Sequence, residues 1–411
     1  MNTIATSRWV TKEVARGFVN NLVFLANVNR TYDGQYIQGG AHVGNTVNAR
    51  LPQRFVAVDG QAMQLQAIYD QTVPITLTNQ KQVAFSWSSA EETTELDNVR
   101  VRFVQPGADA LANAADVLGY QQVYRDVYQA VGTPGTTPSA LLTYLQAGVK
   151  LTDSAVPLDD RVAILDPLAM ATIAATASAL FNPAATQSEN YRKGQFGRAQ
   201  LGIDEWMQTQ NRPVHTTGTF TASTPIVSGA GQTGSTISTT GWASGASSLK
   251  KGDILTIAGV YQVNPQSYTN TGRLQQFVVT ADTSDAAGAM ATLPISPPII
   301  TSGQLQTVNA SPAASAAITV LGSTGAVGGT LATTLSPQSI VFHPDAFTFV
   351  MADMIKPGAG AKSSVARSKQ YGFSVRMVEQ YQIGSDQNPT RLDILIGAAT
   401  LQARLAARVM G

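Results

Sequence analysis

Hydrophobic positions at the start of the chain recur at helical spacing. Val10, Val14, Phe18, Leu22 and Leu25 predict a helix from Ser7 to about Asn29, with Arg8, Lys12 and Arg16 as a basic stripe on another of its faces. The period then changes to two. Val73, Ile75, Leu77, Val83, Phe85 and Trp87 all fall on odd numbers. With "GNTVNARLPQRFVAVDGQ" before them they predict a long two-stranded β-arm over residues 43–88, with Asp59-Gly60 near its tip. Pro106 opens a second helical pattern, in which Leu111, Ala115, Leu118, Tyr124, Val127, Tyr128 and Val131 form a wide apolar face and Gly132 ends it. A helix over 106–131 would be a rod of about 40 Å.

Residues 138–212 mix both periods, and "RVAILDPLAMATIAATASAL" reads as a short strand followed by a helix. At His215 the composition shifts. From Thr216 to Ser339 the charged residues are Lys250, Lys251, Asp253, Arg273, Asp282 and Asp285, and Thr, Ser, Gly and Ala punctuate short apolar runs. Strand-like pieces at 253–263, 274–280, 290–300 and 316–321 predict an inserted small all-β domain, sandwich or barrel. In "KKGDILTIAGVYQVNP" the expected inward positions are Leu255, Ile257, Tyr261 and Val263. Beyond it "SIVFHPDAFTFVMADM" returns to mixed character, and "GFSVRMVEQYQI", "GSDQNPT" and "RLDILIGAATLQARLAARVMG" form a closing hairpin. The fold class is α+β, with no fixed-period repeat.

Composition changes this picture at one point. Hydrophobic residues make up 44% of the 411, enough for a full core, but charged residues only 13%, against roughly 25% in an average soluble protein. A surface so poor in charge suits a chain that packs against copies of itself, where buried unpaired charge is costly. The net charge of +1 does not mark the whole chain as a nucleic-acid binder. The chain has no cysteine, so no disulfide framework or thiolate chemistry, and no apolar run reaches membrane-spanning length. An intracellular, soluble product with no membrane partner is expected.

Candidate chemistry is sparse. "GAGQTG", Gly229 to Gly234, matches a dinucleotide-binding string, but "STISTTGWASG" follows it without helical period, so a flexible loop is expected. "GAGAKSS", Gly358 to Ser364, lacks the glycines a phosphate loop requires, because Ala361 and Lys356 stand in those places. His42, His215 and His343 have no local acidic or histidine partner at metal-ligand spacing, and His343, before Pro344 and Asp345, reads as a cap. Asp159-Asp160-Arg161 and Asp386 with Asp393 read as caps and surface ion pairs rather than paired catalytic acids. Catalytic, metal and cofactor sites are therefore expected to be absent, and an enzyme is not expected.

The order helix, β-arm, long helix, mixed α/β, inserted β-domain and closing hairpin resembles the major capsid proteins of tailed bacteriophages. It is most similar to the podovirus-type coat proteins that carry an insertion domain. "NNLVFLANVNRTYD", "VGNTVNARLPQRFVAVDGQ", "VQPGADALANAADVL", "VGTPGTTP", "VPLDDRVAILDP", "NRPVHTTGT", "KKGDILTIAGVYQVNP", "LQQFVVTAD" and "FHPDAF" carry the resemblance, in order, over nearly the whole chain. It implies the Hong Kong phage-type capsid fold: an N-terminal arm helix (1–42), an extended β-hairpin loop (43–88) reaching over a neighbour, and a peripheral and axial core (89–215) with a spine helix. The inserted β-barrel-like domain (216–339) and returning axial and peripheral strands (340–411) complete it.

The implied function is a coat subunit forming hexamers and pentamers of an icosahedral head around double-stranded DNA, assembled in the host bacterial cytoplasm. The implied partners are other copies of itself, a separate scaffolding protein, a portal, packaged DNA through non-specific contacts, and a decoration protein. On the arm, Arg50, Arg54, Phe55, Asp59 and Asp70 are expected intersubunit contacts, while Arg8, Lys12 and Arg16 would face scaffold or DNA. An encapsulin-like compartment shell and a β-rich adhesin or glycan-binding protein are the alternatives.

Overall fold

The computed structural model describes residues 22–32, 44–61, 63–88, 105–177, 202–325, 327–358, 361–367 and 373–411. In chain order the elements are β1 (Thr46–Arg50), β2 (Thr72–Thr76), β3 (Asn79–Ser88), α1 (Gln105–Val123), β4 (Ala130–Gly132), α2 (Leu141–Asp153), β5 (Val162–Leu165) and α3 (Pro167–Ala177). There follow β6 (Glu205–Gln208), β7 (Val214–Thr216), β8 (Phe220–Ser223), β9 (Ile226–Val227), β10 (Gly234–Thr240), β11 (Ser248–Leu249), β12 (Ile254–Val263), β13 (Asn270–Val279), β14 (Thr283–Ser284) and β15 (Ala289–Ile299). The last are β16 (Ile318–Val320), β17 (Gly329–Leu331), β18 (Leu335–Phe342), β19 (Phe347–Met351), β20 (Lys362–Arg367), β21 (Ser374–Glu379), β22 (Gln387–Thr400) and β23 (Ala406–Met410). They fall into two compact units: residues 1–50, 72–122 and 347–401 form one, and 51–71, 123–346 and 402–411 the other.

The first unit is built on β22. β3 runs along one of its edges over its N-terminal ten positions, while β21 and β19 share the other edge and β20 lies outside β21. Asn388, Thr390, Leu392, Ile394 and Ile396 alternate into the core, as a strand covered on one face requires. α1 packs there closely enough that a Cβ on Gly107 would lie 3.3 Å from Leu392. Val83, Phe85 and Trp87 keep the expected alternation, but they pair with Leu392, Thr390 and Asn388 rather than with the arm. Among the described residues the arm's two-stranded part is therefore β1 with β2, and those of 51–71 form no strand.

Two stretches expected to be the ends of helices are not helical. Residues 22–29 are turns, not the end of a helix, because their backbone groups are claimed elsewhere. The fully buried carboxylate of Asp116 accepts the N–H groups of Phe24 and Leu25, each at 3.0 Å, and Asn29 bridges to β19. Phe24 stacks on Tyr120 with ring centroids 4.6 Å apart. α1 stops at Val123 in a 3-10 turn, so its length is about 28 Å rather than the full expected rod. From Val127 the backbone is extended, Val127, Gln129, Ala130 and Val131 are buried, and β4 pairs in parallel with β23.

In the second unit β18 is central, with β23 on one edge, β5 on the other, and β7 beside its N-terminal half; β6 pairs in parallel with β5. Tyr144, Ala147 and Leu151 line the buried face of α2. Between β7 and β18 the chain builds a barrel of strands in the order β16, β12, β13, β15, β10, β9. It closes where Val227 N–H donates to Ala316 O (3.0 Å), Ser315 N–H to Val227 O (3.0 Å) and Ile318 N–H to Pro225 O (2.9 Å). Phe220, Trp242, Leu255, Ile257, Phe277, Leu293 and Ile318 are among the side chains that fill it. Strand β10 occupies "STISTT", where a loop was expected; Ile237 and Thr239 point inward and Thr239 accepts the Trp242 indole N–H at 2.9 Å. In β12, Leu255 and Ile257 are buried as expected. A bulge around Gly259, whose φ is +80°, then shifts the phase, so Val260 is buried and Tyr261 only half-buried.

The barrel's underside meets the neighbouring sheet through a small apolar cluster of Ile254, Val278, Ala130 and Met410, flanked by Tyr128 and Leu321. Amides surround it. The Gln276 carboxamide caps the edge of β4 as a strand would: it accepts Ala130 N–H and donates to Ala130 O, both at 2.9 Å. Gln262 donates to Ser154 Oγ at 2.9 Å and Asn264 to Asp153 O at 3.0 Å, satisfying the end of α2. Lys150 Nζ also donates to Gln276 Oε1 at 2.7 Å. Burial first, and the charge of Arg273 second, push this lysine down to about 8 against an upward pull from Asp153.

Two outcomes follow. Asp116→Ala leaves two buried N–H groups unpaired and should cost about 2–4 kcal/mol, read as a lower urea midpoint. Between pH 8 and 10 the unfolded chain keeps a Lys150 proton that the folded chain has lost, so stability gains up to roughly 1.4 kcal/mol per pH unit from this group. Urea titrations of wild type and Lys150→Met across that range should show the rise missing from the variant.

Candidate assembly site

Residues 51–71 leave a short ladder. Val47, Ala49 and Ile75 are buried in it, and Leu51 N–H to Gln71 O at 2.9 Å is the last backbone bond that continues it. Past this point the loop turns its large apolar side chains outward: Met63 and Leu65 are 85% and 87% exposed, and Phe55, Ile68 and Tyr69 more than half exposed. A monomer gains nothing from holding such a surface in water.

The charged residues expected here take different places. Arg50, Asp59 and Asp70 are exposed, and Arg54 is half-buried. Arg54 is close enough to Arg404 to push that guanidinium further below its ordinary value, after burial, which is the larger cause. No intrachain ion pair joins Arg54 to Asp59. Two neighbouring guanidiniums form a local excess of positive charge that a carboxylate from elsewhere would relieve. Arg8, Lys12 and Arg16, and His42, lie outside the described residues.

The catalytic candidates resolve into structure. Gly229–Gly234 joins β9 to β10, and the Gln232 side chain fills the turn by donating to Ser228 O at 2.7 Å and accepting Ser238 N–H at 2.6 Å. Gly358–Ser364 leads into strand β20, not a helix, and Lys362 pairs with Glu379 at 3.4 Å. Arg161 is buried and knits its own turn, donating to Pro157 O at 2.7 Å and Val156 O at 2.8 Å. Asp393 is buried between Arg376, at 2.7 Å, and Arg391, while Asp386 accepts the Tyr381 hydroxyl at 2.9 Å, so the two acids do not form a pair. His343 Nδ1 accepts Asp345 N–H at 3.3 Å, a local cap.

His215 is the exception. Its acidic partner is Asp253, at 2.9 Å and 38 residues along the chain, so no local spacing could have shown it. The other Asp253 oxygen accepts Gly218 N–H at 2.9 Å and Lys250 N–H at 2.8 Å. Arg408, fully buried, donates to Gly252 O at 2.7 Å, and Tyr124 presents a ring edge to the imidazole. A histidine oriented by a carboxylate has the outline of a catalytic base, but this imidazole is sealed. Its side chain is 4% exposed, and even a Cβ on Gly252 would come within 3.0 Å of its ring. The cluster locks the base of the barrel. Among the described residues no group of His, Asp and Glu could hold a metal ion, and no helix is long and apolar enough to cross a membrane.

Comparison with curated proteins finds no match. Solved structures similar to the chain include one from Mycobacterium phage Che8, at 14% identity, covering 94% of this chain and 90% of that one with a TM-score of 0.48. The capsid of Ralstonia phage GP4 matches at 7% identity over 96% and 90%, with a TM-score of 0.44. A virus-like particle from Pyrococcus furiosus matches at 8% over 97% of each chain, with a TM-score of 0.41. The family profile described as "P22 coat protein - gene protein 5" matches residues 1–410 without interruption. With that match over the whole chain, the protein belongs to the P22 coat protein family, the major capsid proteins that many copies of one chain assemble into a phage head.

Proposed function

We propose that this coat protein forms hexamers and pentamers of an icosahedral head enclosing double-stranded DNA, with residues 51–71 laid across a neighbouring copy. The observation that supports this reading most is the outward apolar loop. A two-stranded ribbon has little stability alone, and Phe55, Met63, Leu65, Ile68 and Tyr69 gain burial only against another surface. Arg54 and Asp59, unpaired with each other, are free to meet opposite charges on that neighbour. Arg50 and Asp70, exposed at the loop's two ends, belong to the same contact.

The domain division belongs to this reading too: arm 1–42, extended loop 43–88 apart from β3, which runs along β22 in the core, core 89–215 and 340–411, and an insertion domain at 216–339 of the kind found in podovirus-type coat proteins. The barrel's closure and separate core support the insertion. So does its attachment, because His215 on the strand leading in pairs with Ser336 on the strand leading out. An insertion whose ends lie side by side leaves the parent sheet undisturbed. The reading includes a scaffolding protein, a portal, a decoration protein, non-specific contacts with packaged DNA, and assembly in the reducing host cytoplasm, which a chain without cysteine suits. It assigns no enzymatic activity. Arg8, Lys12 and Arg16 would meet scaffold or DNA.

Expression with and without a scaffolding protein, followed by negative-stain electron microscopy and sedimentation, should give closed shells of uniform size; monomers under every condition would refute the reading. Leu65→Asp, Arg54→Glu and Asp59→Arg should each abolish or reduce shells while stability stays within about 0.5 kcal/mol of wild type. Residues 216–339 expressed alone should give a soluble chain with a β-rich circular dichroism spectrum and cooperative unfolding, and a disordered spectrum would remove the domain boundary.

A further inference from the structure

The loop formed by residues 51–71 is not free. Its two limbs are tied by one side chain, Gln66, whose carboxamide pairs with Val56 as a strand residue would. Val56 N–H donates to Gln66 Oε1 at 2.9 Å, and Gln66 Nε2 donates back to Val56 O. The same Oε1 accepts a second bond, from Gln304 Nε2 at 2.8 Å. Gln304 lies in the barrel segment between β15 and β16, is 9% exposed, and has its carbonyl held by the Tyr268 hydroxyl at 2.9 Å. The donor is thus anchored in the barrel and the acceptor sits in the loop.

The surroundings give this bond its significance. Arg54 lies near enough to Arg404 for its like charge to lower that guanidinium, so this pair does not draw the loop inward. Phe55, Val58, Met63, Leu65, Ile68 and Tyr69 are exposed, so burial of these side chains does not hold it either. Gln304 and Gln66 form a neutral directional tie between the loop and its own barrel.

We infer that Gln304 and Gln66 are a clasp by which the barrel holds the loop, apolar side chains outward, in the shape that a second copy of this chain receives. The inference rests on the reading of this loop as an intersubunit arm. Gln304 is a positioning residue: it touches no partner and acts through Gln66. A neutral hydrogen bond biases a loop without locking it. Removing the clasp should lower the docking-competent fraction about five- to tenfold, and the initial assembly rate with it. The fold is unaffected, because Tyr268 uses the Gln304 main chain.

Full-length wild type, Gln304→Ala, Gln304→Glu, Gln66→Ala and the Gln66→Ala/Gln304→Ala double variant would be compared as unassembled chains by hydrogen exchange, and during assembly by light scattering. Faster exchange within 51–71 with unchanged exchange in α1, and assembly slowed about five- to tenfold in both Gln304 variants, are expected. The double variant should be no slower than Gln66→Ala. Gln304→Glu has the same bulk but brings an acceptor to Gln66 Oε1, so wild-type behaviour of this variant would reduce Gln304 to a space filler and overturn the clasp. Unchanged exchange in Gln304→Ala would overturn it, as would faster exchange with wild-type assembly. Leu65→Asp separates the two readings. If it blocks assembly while Gln304→Ala does not, only the clasp fails; if it too assembles normally, the arm reading fails and takes the clasp with it.

Discussion

The carboxyl group of Asp253 is buried at the place where the chain passes from sheet to barrel. A buried polar group of this kind is tolerated only when its oxygens are satisfied. Here His215 takes one oxygen, and the amides of Gly218 and Lys250 take the other. One carboxylate therefore fixes the strand leading in, the first turn of the barrel and the start of β12 together. Arg408 adds the C-terminal strand by reaching Gly252, and Thr217 with Thr334 ties the incoming chain to the outgoing one.

What the sequence shows and what it hides follows from range. The alternation of Val83, Phe85 and Trp87 was legible because a strand's period is local, but its partner, β22, begins some 300 residues later and nothing local announces it. Tyr124, Val127 and Val131 fit a helical face and a strand equally well over so short a run; parallel pairing of β4 with β23 decided between them. The barrel strands around Leu255, Phe277 and Leu293 were legible, but a single glycine moved the inward phase from Tyr261 to Val260. At the candidate assembly site Phe55, Asp59 and Asp70, expected as contacts, are exposed. The links from Gln66 to Gln304 and from His215 to Asp253 were not legible, because an amide or an imidazole carries no signal about a distant partner.

The scarcity of charge has a structural counterpart. Alongside ion pairs such as Arg376 with Asp393 and Arg273 with Asp153, several joints are made by amides: Gln276 on the edge of β4, Gln262 and Asn264 at the end of α2, and Gln232 inside a turn. Neutral hydrogen bonds are barely screened by salt. These joints keep their strength when the ionic surroundings change.

A sheet with open edges offers its unpaired backbone to any strand nearby, and in a particle built of many copies that hazard is multiplied by the copy number. In the barrel this edge is closed at the seam, where the β9 segment and the chain leading into β16 satisfy each other. Each copy is therefore sealed against its neighbours along that part of its backbone. Recognition there can diverge by surface substitution without opening a route to aggregation between particles.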